Sequence, residues 1–414
     1  MESAPLQATP VVANLRTPVV WFMALAAAIG TATIYPMQPA IGQVAGGLGV
    51  SVAQIGLALA FGPVGYLLGL ALLVPLVDRV SPRVVLSTQF AALAAALAAN
   101  GMVATTWLLC LVCCVVGAGS SVGAQLSTIG GRFAEPGRRA TVLGIVTSGI
   151  SAGILTGRIV GGWLTDVVGW RGMLFVFAGA CALVAVVARF VLPAAAATVT
   201  SGYLATLRTL PLLYVRFPVL RLAVGRGTSW FFAFCAVWSG LAVALSQPPY
   251  SYSSERIGLY AVAGLLGIAA TRIAGALTDR VGAKTVILIG LAIAVTAAAA
   301  LGASLSNTVV TLLCLGLFDA GLFASQVANQ STVLAINPEA PAQFNSAYML
   351  VYFIGGSVGT AFGAAAVGWF GWPTTAAIAA AAIAVAAAIT AAAGSDDPAS
   401  VRRTGSRSGR RTFR

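Results

Sequence analysis

The chain of 414 residues contains no histidine, and only 8% of its residues are charged. The missing histidine removes imidazole metal sites, serine-histidine triads and histidine proton relays in one step. The ten acidic residues are also few, and they form no pair within an apolar stretch, so the usual acid/base constellations of hydrolases are absent. No nucleotide-binding motif is present. The six cysteines, Cys110, Cys113, Cys114, Cys181, Cys235 and Cys314, all lie inside apolar stretches, where they read as small buried hydrophobes rather than disulfide partners or metal ligands. An enzyme is therefore not expected, and neither is a cofactor or a metal. Soluble domains carry about 25% charged residues, so the low charge also argues against a protein dissolved in water.

What the chain has instead is apolar length. Apolar residues make up 59% of it, arranged in twelve stretches near 19–42, 52–77, 83–105, 107–131, 140–165, 171–192, 220–245, 257–278, 284–305, 308–333, 343–369 and 371–393. A hydrocarbon core of about 30 Å takes about 20 helical residues to cross. Transmembrane strands would be about ten residues long with period-two alternation, whereas runs such as Ala91 to Ala99 favour helix. The fold class predicted is an all-α polytopic membrane protein of twelve transmembrane helices. Leu76-Val77-Asp78-Arg79-Val80 recurs 201 positions later as Leu277-Thr278-Asp279-Arg280-Val281. Gly153, Gly157 and Gly161 are echoed by Gly355, Gly359 and Gly363. The chain thus reads as two pseudo-symmetric six-helix bundles, 19–192 and 220–393, with a tail 1–18, a central loop 193–219 and a basic tail 394–414. The glycine ladders predict close helix packing, and their repetition suggests smooth seams between the halves.

Cationic residues set the orientation, because they are retained on the cytoplasmic side. With the amino terminus inside, Arg16, Arg79, Arg83, Arg132, Arg138, Arg139, Arg189, Arg208, Arg216, Arg221, Arg280, Lys284 and the six tail arginines lie inside, and only Arg171 and Arg256 outside. This predicts a multi-pass protein of a bacterial inner membrane with both termini cytoplasmic. Met1 to Thr17 is polar and runs into a full span without a cleavable signal. The net charge of +13 is concentrated in a Ser/Gly/Thr-rich tail suited to anionic headgroups, so the bilayer, and not nucleic acid, is the expected partner, and the chain is expected to act as a monomer.

Polar residues at membrane depth are costly and carry what chemistry remains. Asp319 lies about eleven residues into the tenth stretch, roughly 16 Å deep at 1.5 Å per residue, and is the only acid placed there. It is either a protonatable coupling site or a partner for a buried arginine. Arg158 and Arg272 lie within spans, in the substrate pathway or paired with Asp319 or backbone carbonyls; Arg226 is close enough to an end to snorkel towards the headgroups. Tyr35, Gln38, Gln125, Gln326, Asn329, Gln330, Asn345, Tyr348 and Tyr352 could line a cavity. Asp319, Gln326, Asn329 and Gln330 share one helical face. The competing role for these polar groups is hydrogen bonding between helices, worth about 0.6 kcal/mol per contact on average.

Up to about residue 394 the chain resembles the major facilitator superfamily. That family's loop motif, Gly-x-Leu-x-Asp-Arg-x-Gly-x-Lys/Arg, is present as Gly275-Ala-Leu-Thr-Asp279-Arg280-Val-Gly282-Ala-Lys284. In the first half Val74 and Ser81 replace the two glycines while Asp78, Arg79 and Arg83 keep the charges. The resemblance implies a gating role for Asp78, Arg79, Arg83, Asp279, Arg280 and Lys284 at the cytoplasmic ends of the bundles. Tyr35-Pro-Met-Gln38-Pro39, Gly65-Tyr-Leu-Leu-Gly-Leu, Val327-Ala-Asn-Gln-Ser331 and Asn345-Ser-Ala-Tyr348-Met are similar to a bacterial branch of drug:proton antiporters and sugar-efflux-like proteins. The fourth-helix antiporter motif aligns with Leu109 to Gly119, where Cys113 and Val116 stand at its arginine and glutamine positions. In the fifth-helix motif, Arg158 stands in place of proline.

The reading that follows is a secondary transporter working by alternating access, with a small-molecule substrate between the halves and proton-coupled efflux of a small organic compound or drug as its leading use. Uptake or exchange of an organic anion is the alternative, favoured by three in-membrane arginines against one acid. A transporter-like receptor or interaction protein is a second alternative, disfavoured by the lack of a sizeable soluble signalling module.

Overall fold

The computed structural model describes residues 15–194, 211–337 and 341–393. Every regular element among them is helical: α1 (Thr17–Ala32), α2 (Ile41–Leu48), α3 (Val52–Leu72), α4 (Pro82–Gly101), α5 (Thr106–Gly119), α6 (Val122–Phe133), α7 (Arg139–Val191), α8 (Pro218–Ser246), α9 (Ser254–Leu259), α10 (Gly264–Val281), α11 (Ala283–Ser304), α12 (Thr308–Ala335) and α13 (Pro341–Ala392), with short 3₁₀ turns between some of them. Proline in the first turn starts α1, α4 and α8, where its missing N–H costs nothing. Asn307 caps α12 by accepting from the amides of Val309 and Val310 at 3.1 and 3.2 Å, a standard way to satisfy the orphan donors of a first turn.

Nine helical runs among the described residues are long and apolar enough to cross a membrane. Two of them are double crossings. The run Arg139–Val191 breaks at Gly169 (φ 74°) and the run Pro341–Ala392 breaks at Gly371 (φ 76°), conformations that a side chain would strain. Counting both arms of each broken run, and adding the 16-residue α1, gives twelve crossings. The expected loops near 166–170 and 370 are thus single glycines. Each joint glycine is followed by a tryptophan. Trp170 lies under the Arg171 guanidinium at 4.2 Å, and Trp372 donates from its indole to the Leu301 carbonyl at 2.7 Å.

Large apolar side chains face outward in numbers that a water-soluble surface does not carry. Trp21, Trp107 and Trp369 are each more than 60% exposed, and all three lie near helix ends, the depth that indole rings favour at a membrane interface.

Several boundaries differ from the sequence reading. The first span stops at Ala32 instead of reaching 42, because Pro36 and Pro39 cannot continue a helix; turns occupy 33–40 and the short α2 follows. The fourth span is interrupted at Ser120-Ser121, giving α5 and α6. The eighth starts at Ser254 and includes a 3₁₀ turn at Tyr260–Ala263.

The described chain forms two compact units. Among the described residues, unit 1 takes 61–194 with 15–50 and Ser253–Leu259; unit 2 takes 211–252, 260–337 and 341–393 with Ser51–Ala60. These follow the two sequence halves except for the two short exchanged segments. The tail 1–14, most of the central loop and the basic tail from 394 lie outside the described residues, as does the side chain of Asp78.

The glycine ladders correct one expectation. They are seams inside each unit, not between the halves. In unit 1, a Cβ added to Gly153 or Gly157 would collide with the carbonyl oxygens of Ala28 and Ala32 on α1. In unit 2, a Cβ added to Gly359 or Gly363 would collide with those of Phe232 and Ala236 on α8. The repeat therefore encodes how each bundle locks its own first helix against its fifth, a contact that only residues without a side chain permit.

Candidate functional site

In unit 1 the early end of α1 decides the site. Because the chain turns at 33–40, Tyr35 and Gln38 reach Arg158 on α7. The Arg158 Nε donates to Gln38 Oε1 at 2.7 Å, its guanidinium carbon sits 4.5 Å from the Tyr35 ring centroid, and an Nη donates to the Ile154 carbonyl at 3.3 Å. The side chain is only 5% exposed. One helical turn further on, Gly162 and Gly258 let α9 lie directly on α7. Asp166 accepts there from the amides of Ser254 (3.2 Å) and Glu255 (2.8 Å) and from Gln43 (2.7 Å).

Gln125 lies apart from this group. It is fully buried, and its amide donates to the Leu73 carbonyl and to Gln89, so within unit 1 it belongs to a polar network between helices.

In unit 2 a polar and aromatic face forms where α8, α12 and α13 meet. Asp319 is 2% exposed and accepts from the Trp238 indole at 3.2 Å. Arg226 is 1% exposed; its Nε donates to Asn329 Oδ1 at 2.5 Å and an Nη to Thr332 Oγ1 at 3.1 Å. The Asn329 amide in turn donates to the Ala223 carbonyl. Arg226 does not snorkel: with acceptors within reach on α12, the side chain turns inward. Tyr348 donates to Gln326 at 2.6 Å and Gln330 to Asn345 at 2.9 Å, while Tyr352 stacks on Phe231 with centroids 3.9 Å apart. Arg272 is exposed on α10.

The residues that sequence reasoning missed are Trp238, Thr332 and, as a buried cation, Arg226. For Arg226 and Trp238 the signal was the four-residue spacing of Arg226, Trp230, Phe234 and Trp238, all buried and along one face of α8; Thr332, on α12, had none.

The loop motif is described in part. Lys284 donates to the carbonyls of Ala391 and Ala393 at the end of α13, and Asp279, Arg280 and Arg79 are exposed. Gly282 has φ 84°, whereas Ser81 sits at φ −60°, so the first repeat needs no glycine at that place.

The profile of the Major Facilitator Superfamily matches residues 20–360 and 230–414. The chain belongs to the Major Facilitator Superfamily. Its relatives include the uncharacterized transporter YgaY of Escherichia coli O157:H7, 27% identical over 364 residues that cover 87% of this chain and 91% of that protein. Another is the probable transporter SCO4007 of Streptomyces coelicolor, 30% identical over 363 residues, 86% of this chain and 83% of that one. Among solved structures, a bacterial homolog of the human lysosomal transporter Spinster, inward-facing and unoccupied, superposes with a TM-score of 0.73 at 15% identity, covering 92% of this chain and 97% of that one. A point mutant of the nucleoside transporter NupG superposes with a TM-score of 0.71, also at 15% identity, covering 90% and 99%. At such identity these neighbours share the fold. The chain is a multi-pass membrane transporter of this superfamily and not an enzyme.

Proposed function

We propose that this superfamily member exports a small organic compound in exchange for protons by alternating access, with Asp319 as the group that takes up and releases the proton. The observation that carries this reading is the placement of one carboxylate, 2% exposed, in the middle of α12 beside the Trp238 indole, in a chain without histidine. Gln326, Asn329, Gln330, Asn345, Tyr348 and Tyr352 in unit 2, with Tyr35, Gln38 and Arg158 in unit 1 and Arg272 on α10, are the substrate-pathway residues of this reading. The proposed gating motif is Asp78, Arg79, Arg83, Asp279, Arg280 and Lys284. This reading has the protein work as a monomer in a bacterial inner membrane with both termini inside. The deciding experiment compares a strain lacking the protein with one overproducing it in a growth-inhibition panel and by metabolite profiling. Lower internal levels and raised tolerance of the same compound on overproduction support export; accumulation of that compound overturns it.

A second reading, uptake or exchange of an organic anion, draws on Arg158 and Arg226, two buried guanidiniums that donate to the neutral side-chain oxygens of Gln38 and Asn329. A carboxylate or phosphate would be a stronger acceptor for either fork. Accumulation of an anionic metabolite in the overproducing strain would select this reading.

A further inference from the structure

Unit 1 contains two helix breaks that unit 2 lacks at the equivalent places, and two buried glutamines connect them. The first break follows α3. Pro75 has no N–H to continue the helix, and the chain tightens into a 3₁₀ turn over Val74–Asp78. The second is Ser120-Ser121, between α5 and α6. Where the regular helical ladder stops at membrane depth a carbonyl draws on other donors, and at each break a glutamine supplies one, at Leu73 O alongside the Leu76 amide. Gln125 Nε2 donates to Leu73 O at 2.7 Å; Gln89 Nε2 donates to Gly119 O at 2.9 Å and to Ser121 Oγ at 3.2 Å. The two side chains are joined to each other, Gln125 Nε2 to Gln89 Oε1, at 2.8 Å. Ser120 continues the chain of contacts to Thr33, just past α1, at 2.6 Å.

In the second repeat the equivalent of Gln89 is Gly290, and the equivalent of Gly119 is Gly321. There the two backbones touch directly: a Cβ on Gly290 would lie 2.5 Å from the Gly321 carbonyl oxygen. The helices on that side, α10 and α12, run unbroken through the level concerned. The same seam is therefore made of packed backbone in one unit and of side-chain amides in the other. Packed backbone has no alternative partner once separated. An amide bridge does: if the 3₁₀ turn rewinds into helix, Leu73 O exchanges the Leu76 amide, which it accepts at 3.1 Å, for that of Val77, and the Gln125 amide is the contact that can part. Gln125 Oε1 is buried without a hydrogen-bond partner among the described residues, so the bridge is not saturated in this conformation and holds an acceptor in reserve.

We infer that Gln89 and Gln125 form a hinge pin that couples the two breaks, so that the 3₁₀ segment leading to the Asp78-Arg79 loop and the kink at Ser120-Ser121 open and close together. The first repeat is the deformable one, and its loop motif departs from the family pattern in the same repeat.

Hydrogen exchange of the full-length protein in lipid nanodiscs, read by mass spectrometry, tests this without knowledge of the substrate. In the wild type, amides of 73–80 exchange about tenfold faster than those of 274–281. The near-isosteric Gln125→Met speeds exchange of 73–80 by roughly a further fivefold, the effect of one net hydrogen bond. The decisive variant is Gln89→Met, which touches Gly119 and not Leu73: through the pin it speeds 73–80 as well as 119–124. If Gln89→Met affects only 119–124 and Gln125→Met only 73–80, the glutamines are independent caps and the hinge is overturned. Equal wild-type exchange of 73–80 and 274–281 overturns it too, even where a variant fails to fold.

Discussion

The Trp238 indole donates to the Asp319 carboxylate across 3.2 Å, joining the last third of α8 to the middle of α12. This bond distinguishes the coupling role of Asp319 from a structural one. Asp319→Asn keeps an oxygen that accepts from Trp238, so the fold is retained, while the proton can no longer be exchanged. Transport driven by a pH gradient in proteoliposomes should vanish and substrate counterflow should persist. Concentrative uptake by the Asn variant with only a pH difference supplied would remove Asp319 as the coupling site.

Arg226 and Asn329 should show strong energetic coupling. Removing the guanidinium with Arg226→Met leaves Asn329 Oδ1 without that donor in a closed core, at a cost of about 1–3 kcal/mol. Asn329→Leu withdraws an acceptor from a buried cation and should cost more, about 3 kcal/mol. The double variant should lose less than the sum of the two. Thermal unfolding of all four proteins in detergent measures the cycle, and additive losses would mean the pair is not coupled.

Arg158→Lys separates recognition from packing. A lysine keeps the charge but loses the fork, so if the side chain holds an anionic group of the substrate, apparent affinity should fall by roughly 1–3 kcal/mol with little change in unfolding temperature. Unchanged affinity, measured with whichever compound the screen identifies, would confine Arg158 to its contacts with Gln38 and Tyr35.

The glycine seams predict opposite outcomes for two similar-looking changes. Gly359→Val drives a branched side chain into the Phe232 carbonyl, with which a bare Cβ would already collide, and should prevent folded protein from accumulating. Gly179→Ala, where nothing lies within 4 Å of the added carbon, should be neutral or stabilising by up to about 1 kcal/mol. Folded yield by fluorescence-detected size exclusion reads both.

The fold was legible because it is written in coarse quantities: apolar length, a repeat of charged punctuation and the absence of strand alternation. The polar face of α12 was legible too, since Asp319, Gln326 and Asn329 are conspicuous against apolar neighbours. Partners were not. Nothing in the spacing of Tyr35 and Gln38 announced that two prolines would end α1 and fold those residues back onto Arg158. Gln125 looked like a cavity residue because a lone amide in an apolar stretch carries no mark of the broken helix it serves. The ladders were found, but a small-residue pattern says that something approaches closely without saying what.

Gly169 and Gly371 also set what can be built onto this protein. A hairpin whose connection is one left-handed residue has no slack, so the turns within both long helical runs offer no place for an inserted epitope, a protease site or a fused reporter. Insertions there must unwind helix on both sides, and tags belong on the exposed turn before Asn307, at Ser306, instead.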